Sequence, residues 1–163
     1  TTIDTAANVK VHRALSAVEM HDAVMRELPN ATIFVGAAAV ADYAPANAAE
    51  GKIKKDGRDF ITLELKKTPD ILSEVSKCRT NGLLVVGFAA ETSNVVDYAR
   101  SKLKKKGLDM VVANDITKEG AGFNTDTNIA TIISKNEQID LPLMPKRELA
   151  DKILDEILKL RKT

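Results

Sequence analysis

Two rhythms of apolar and polar positions run along the chain. Short, nearly unbroken apolar runs, Ala31-Thr32-Ile33-Phe34-Val35-Gly36, Leu83-Leu84-Val85-Val86 and Asp109-Met110-Val111-Val112-Ala113, have the length and β-branched content of strands covered on both faces of a parallel sheet. Stretches of helical spacing lie between and around them. Ser16-Ala17-Val18-Glu19 has the spacing of a capping box and predicts a helix with Ala17, Met20, Val24 and Leu28 on one face. Thr68-Pro69-Asp70 predicts a second start, with Thr68 as N-cap, proline at the first helical position and an acid in the first turn. A third helix from Asn94 to Lys106 stops at Gly107, placed for a left-handed cap, and carries Lys102 and Lys106 on one face. The last begins near Pro145 and stripes Leu149, Ile153, Ile157 and Leu160 along one side.

Other segments follow period two. Asn8 to His12 reads as a short strand, and Phe60-Ile61-Thr62-Leu63-Glu64-Leu65 alternates like a half-exposed strand in one arm of a hairpin. The long loop from Ala44 to Gly57, with Pro45, Gly51 and Lys52-Ile53-Lys54-Lys55, then sits beside or at the tip of a movable flap. Ile129 to Ser134 and Gln138 to Leu141 flank Lys135-Asn136-Glu137 as a further hairpin, preceded by the glycine- and Asx-rich loop Gly120 to Asn128. Strands alternating with helices predict an α/β fold: a Rossmann-like three-layer domain with a mostly parallel sheet, helices on both faces and a β-hairpin flap. Residues 1–163 are expected to form a single domain. The opening Thr1-Thr2-Ile3-Asp4-Thr5 reads as a loop within something longer.

Composition narrows the chemistry. With 44% hydrophobic and 29% charged residues the chain is of globular type, and its net charge of +1 provides no general field for nucleic acid or an anionic membrane. Aromatics at 4% leave few platforms for base stacking, which disfavours RNA binding. No apolar run approaches the ~20 residues of a membrane span and no signal-peptide pattern opens the chain. The lone Cys78 fits a reducing compartment, so the expectation is a cytoplasmic protein. Cys78 has no evident base, and His12 and His21 have no evident partner, so structural roles are the simpler reading.

A candidate site comes from strand ends. Small and polar residues follow three apolar strands: Ala37-Ala38-Ala39-Val40-Ala41-Asp42, Gly87 to Thr92, and Asn114-Asp115. Ligands of open α/β sheets bind beyond the carboxyl ends of the strands, where small residues let backbone groups reach them. The alternative reading is a tight strand–helix corner that needs small residues. No GxxxxGK[ST] or GxGxxG loop is present, so phosphates would be met by Lys52, Lys102 and Lys106, although lysine clusters are also ordinary solvated surface. Asp42, Asp70 and Asp115 are candidates for magnesium through water or phosphate.

Laid out in order, Ala38-Ala39-Val40-Ala41-Asp42-Tyr43, Lys52-Ile53-Lys54-Lys55, Thr68-Pro69-Asp70-Ile71-Leu72, Val86-Gly87-Phe88-Ala89-Ala90-Glu91-Thr92, Ala113-Asn114-Asp115 and Gly122-Phe123-Asn124 closely resemble phosphopantothenoylcysteine synthetase, the ligase domain of the bifunctional bacterial coenzyme A biosynthesis flavoprotein. The resemblance runs from about Val9 to the end. It implies joining of 4′-phosphopantothenate to L-cysteine with CTP and Mg²⁺, through an acyl-cytidylate, releasing pyrophosphate and then CMP. It implies Lys52 as the flap lysine of the first step, with backbone groups of Ala38 and Ala39 bordering the reacting centre. Asp42, Lys52, Pro69, Asp70, Ile71, Leu72, Phe88, Lys102 and Lys106 would form the CTP site, with Asn114 and Asp115 in the substrate or metal neighbourhood. It also implies a homodimer, with the hairpin as flap or dimerisation extension and FMN confined to a fused decarboxylase outside this chain. The family's amino-terminal strand, glycine-rich loop and an asparagine have no counterpart here. A non-catalytic nucleotide- or dinucleotide-binding module and an ATP-using synthetase of the same family are the alternatives.

Overall fold

The computed structural model describes residues 7–49, 51–54, 57, 59–80, 82–118, 120–122 and 125–162. They fall into two compact units, one of residues 1–26 and 39–70 and one of residues 27–38 and 71–163. Lys55, Phe123 and Asn124 of the sequence motifs lie outside the described residues.

In the first unit, Ser16 opens helix α1 (Ala17–Glu27) as the sequence predicts. The Glu19 N–H donates to Ser16 Oγ at 3.2 Å, and the Glu19 carboxylate reaches back to the Leu15 N–H at 2.8 Å, one residue before the expected partner. Strands β2 (Tyr43–Pro45) and β3 (Leu65–Lys67) pair antiparallel. The ladder continues at both ends, through Ala46 N–H to Glu64 O at 2.9 Å and Thr68 N–H to Asp42 O at 3.0 Å. The expected hairpin is therefore present, and Lys52 lies on the connection between its strands. Two expectations are corrected. Asn8 to His12 is not a strand, and of Phe60 to Leu65 only Leu65 lies in an assigned strand, with Glu64 joined to Ala46 by one backbone bond. Both apolar and polar positions of that run are exposed, Phe60 at 88% and Ile61 at 60%, so alternation has no buried face within the unit to act on.

The second unit holds a five-stranded sheet in the order β1 (Ile33–Gly36), β4 (Leu84–Glu91), β5 (Met110–Asp115), β6 (Thr127–Ser134), β7 (Gln138–Pro145). β1, β4 and β5 are parallel, whereas β5–β6 and β6–β7 are antiparallel. The sheet is thus mixed rather than mostly parallel. The Lys135-Asn136-Glu137 connection accounts for the antiparallel β6–β7 pair, since it turns the chain straight back and leaves no length for a crossover helix. Helices α2 (Ile71–Cys78), α3 (Val95–Lys106) and α4 (Lys146–Arg161) complete the unit.

Alternation of side chains sorts these helices onto opposite faces. Val86, Met110, Val112, Ala130 and Ile132 share one face and pack with Leu149, Ile153 and Ile157 of α4, the stripe read from the sequence. On the other face lie Val85, Gly87 and Val111, beneath α2. Here two glycines form a register pair, Gly36 beside Gly87. Cβ atoms added there would lie 3.3 Å from Leu72 Cδ1 at Gly36 and 2.9 Å from Leu72 Cδ2 at Gly87. Leu72 therefore sits directly on the sheet. The small residues at these two positions serve helix packing, not ligand approach.

The opposite ends of the strands are closed by Asp109, whose Oδ2 accepts from the Val85 N–H at 2.7 Å and from Arg79 at 2.8 Å. Asn128, buried at 7% exposure, accepts from the N–H groups of Gly122 and Ile129 and so fixes the loop before β6.

Replacing Gly87 with alanine puts a methyl 2.9 Å from both Leu72 and Leu108. Such overpacking should cost about 1–3 kcal/mol in denaturant unfolding. Gly51→Ala, with no atom within 4 Å of the added methyl, should change stability by no more than about 0.5 kcal/mol. Equal, small effects at both positions would contradict the packing described.

Candidate functional site

The candidate residues divide between the units, because the division passes between Ala38 and Ala39 and again between Asp70 and Ile71.

In the first unit Ala39, Asp42 and Lys52 are exposed. The Asp42 carbonyl accepts from the Thr68 N–H, and the Thr68 hydroxyl donates to the Ala41 carbonyl. The segment predicted as a helix cap thus also fastens the Ala41-Asp42 turn across the hairpin. The first assigned helical residue is Ile71, so α2 starts later than Pro69, within the usual uncertainty of a frayed helix end. Pro69 is half-buried and Asp70 exposed.

In the second unit the candidates gather at the carboxyl ends of β4 and β5. The sequence reading ends the strand at Val86, whereas β4 runs on to Glu91. Its last partner on β1 is opposite Gly87, and from Phe88 to Glu91 it is laddered to β5 alone. Ile71 is buried and Leu72 half-buried over the glycine pair. Immediately after Gly87, the Phe88 carbonyl accepts a 2.6 Å hydrogen bond from Lys102 Nζ. A bond this short with a charged donor is of the stronger class. Phe88 and Lys102, separated in sequence, are thereby joined, while the Phe88 side chain packs on the α4 face of the sheet and Leu72 on the other. Lys106 lies one turn further along α3 on the same face and is half-buried.

β5 ends in Asn114 and Asp115, in register with Ala90 and Glu91. The Asn114 side-chain oxygen is buried and has no hydrogen-bond partner among the described residues. Asp115 serves its own turn, since its Oδ1 accepts from the Thr117 N–H at 3.0 Å and the Thr117 hydroxyl at 2.6 Å, and Lys118 Nζ stands 3.9 Å from Oδ2. These bonds, the Thr117 hydroxyl first, hold the Asp115 carboxyl below its ordinary pKa. Among the described residues no three His, Cys, Asp or Glu side chains are grouped to hold a metal ion. Likewise, no described helix is long and apolar enough to cross a membrane. Sequence reasoning missed Ser76, whose hydroxyl joins α2 to the end of α3, because its partner is 31 residues away and no local pattern marks it.

A pH dependence arises from Asp115. Because its folded-state pKa is depressed, its contribution to stability is present above the ordinary carboxylate pKa and is lost as pH falls through the folded value. Thr117→Val should raise the Asp115 pKa toward its ordinary value in a carboxyl-detected NMR titration and remove that part of the acid dependence. An unmoved titration would show that Thr117 is not the cause.

The chain is similar in sequence and fold to known proteins. The family model described as the DNA/pantothenate metabolism flavoprotein C-terminal domain matches residues 1–160. The coenzyme A biosynthesis bifunctional protein CoaBC of Vibrio cholerae is 48% identical over 140 residues, covering 85% of this chain and 35% of its own length. The CoaBC protein of Vibrio vulnificus is 45% identical over 159 residues, covering 97% of this chain and 40% of its own length. This chain therefore spans two fifths or less of the length of these relatives. A crystal structure of the C-terminal domain of CoaBC superposes with a TM-score of 0.79 at 34% identity, over 99% of this chain and 71% of that one. With its strand order, its motifs and these likenesses in agreement, the chain belongs to the family of DNA/pantothenate metabolism flavoprotein C-terminal domains, the phosphopantothenoylcysteine synthetase domain of CoaBC.

Proposed function

We propose that this chain is the nucleotide-handling part of a CTP-dependent phosphopantothenate–cysteine ligase. The observation that carries this reading is the hydrogen bond of Lys102 Nζ to the Phe88 carbonyl toward the carboxyl end of β4, the place where open α/β sheets bind nucleotides. Family membership and the CoaBC relatives support the reaction class.

In the first step a carboxylate oxygen of 4′-phosphopantothenate attacks the α-phosphorus of CTP. The bond to the β-phosphate oxygen breaks, pyrophosphate leaves and an acyl-cytidylate remains. In the second step the amine of L-cysteine attacks the acyl carbon, CMP departs with the bonding pair, and the amine loses its proton as the amide forms.

Each candidate has a role in this scheme. Lys52, exposed on the connection between β2 and β3, supplies positive charge where negative charge develops in the first step, a case of catalysis by positioning and electrostatics. Backbone groups of Ala38 and Ala39 border the reacting centre. Asp42, Pro69 and Asp70 of the first unit and Ile71, Leu72 and Phe88 of the second are each assigned to nucleotide binding, and Lys102 and Lys106 offset the triphosphate charge. Asn114 and Asp115 stand at the neighbouring strand end, with Asp115 held by Thr117. No metal cage exists among the described residues, so Mg²⁺ is assigned to the incoming triphosphate and no step is assigned to a protein-held ion. Residues 1–163 act as one functional domain in this reading, as a cytoplasmic homodimer.

Lys52→Gln in the full-length protein should lower pyrophosphate release by about 100-fold or more, while CTP affinity stays within several-fold. Pyrophosphate release at the wild-type rate would remove Lys52 from the chemistry.

A further inference from the structure

Lys106 is the last residue of α3, and the turn after it is unusually well fixed. Gly107 has φ 62° and ψ 42°, the left-handed conformation glycine adopts without strain. The Leu108 N–H returns to the Leu103 carbonyl at 2.9 Å and the Gly107 N–H to the Lys104 carbonyl at 3.3 Å, the paired bonds of a Schellman motif. Leu108 itself is buried, with Cδ1 2.9 Å from where a Cβ of Gly87 would stand. Both N–H groups of the turn are thus consumed within α3. The Gly107 carbonyl is left to accept from elsewhere, and Ser76 Oγ of α2 donates to it at 2.7 Å.

Ser76 is itself tightly located. It lies one turn beyond Leu72 on α2, and Leu72 rests on the Gly36–Gly87 pair. Ile71 and Val75 of the same helix are buried. A short physical chain results: the glycine pair seats Leu72, α2 carries that placement one turn to Ser76, and Ser76 passes it to the carbonyl adjoining Lys106. Lys102, one turn earlier on α3, is anchored separately through the Phe88 carbonyl.

We propose that Ser76 is a positioning residue for Lys106, holding the last turn of α3 against α2 so that the lysine can meet a nucleotide triphosphate. The inference rests on the nucleotide reading given under Proposed function. Ser76 acts through the Gly107 peptide. Gly107 is exposed, so water replaces the lost donor in Ser76→Ala and the fold survives. The position of the last turn is what loosens. A charge held about an ångström out of place loses much of its value to a charged ligand, whereas an uncharged nucleoside is indifferent to it.

The test is calorimetric titration of the full-length wild type, Ser76→Ala and Ser76→Thr with CTP in Mg²⁺ and, separately, with cytidine. Ser76→Ala should bind CTP about three- to tenfold more weakly with cytidine unchanged, while its melting temperature moves by less than about 3 °C. Ser76→Thr, which keeps the hydroxyl, should return CTP affinity to within about twofold of wild type. Unchanged CTP binding in Ser76→Ala, an equal loss for CTP and cytidine, or no rescue by threonine would each overturn the proposal. If the wild type fails to bind CTP, the ligase reading falls and takes this inference with it. Wild-type binding with an unaffected Ser76→Ala defeats this inference alone.

Discussion

The contact of Leu72 with Gly36 and Gly87 is the constraint from which the rest of the second unit follows. Two glycines in register on adjacent parallel strands remove every side-chain atom from one patch of the sheet, and a leucine fills it. Close packing of this kind tolerates little displacement, because interiors are packed about as densely as organic crystals. It fixes where α2 begins, and so where Ile71 and Leu72 stand over the sheet. Through Ser76 it also reaches the end of α3. Backbone geometry at one spot on the sheet thereby governs side chains from two helices.

Opposite ends of the same strands are put to different uses. At the amino ends, Asp109 joins the Val85 N–H and Arg79 in a closed network of charge-assisted bonds. At the carboxyl ends, a cation is bound by a neutral carbonyl, Lys102 to Phe88, and a buried Asn114 oxygen has no partner among the described residues. An unsatisfied group such as the Asn114 oxygen is costly in a protein interior, and such groups concentrate where ligands act. On the proposed reading, Lys102 exchanges a carbonyl for a triphosphate without leaving the strand end.

Much of the second unit is legible in the sequence because its signals are local. Apolar runs mark β1, β4 and β5; Gly107 marks the end of α3; the Leu149, Ile153, Ile157 stripe marks α4. The β6–β7 hairpin is legible too, from the three residues after Ser134, whereas no local signal marks the antiparallel pairing of β5 with β6. Gly87 reads as room for a ligand in the sequence because its occupant, Leu72, comes from a different element. The Phe60 to Leu65 run misleads for a related reason: alternation signals a strand only where one face has something to pack against, and here both faces are exposed. Motif order exposes the candidate residues, and the fold then joins Phe88 to Lys102. Ser76 and its bond to Gly107 emerge only from the packed helices.

Whether a nucleotide meets this strand end is tested most directly by methyl NMR of the protein with labelled isoleucine and leucine, titrated with CTP in Mg²⁺. The Ile71 and Leu72 methyl resonances should move with nucleotide concentration, while Leu154 and Leu158, exposed on α4, stay in place. Saturable shifts at Leu154 and Leu158 with Ile71 and Leu72 unmoved would place the nucleotide elsewhere and contradict a site built on Leu72, Phe88 and Lys102.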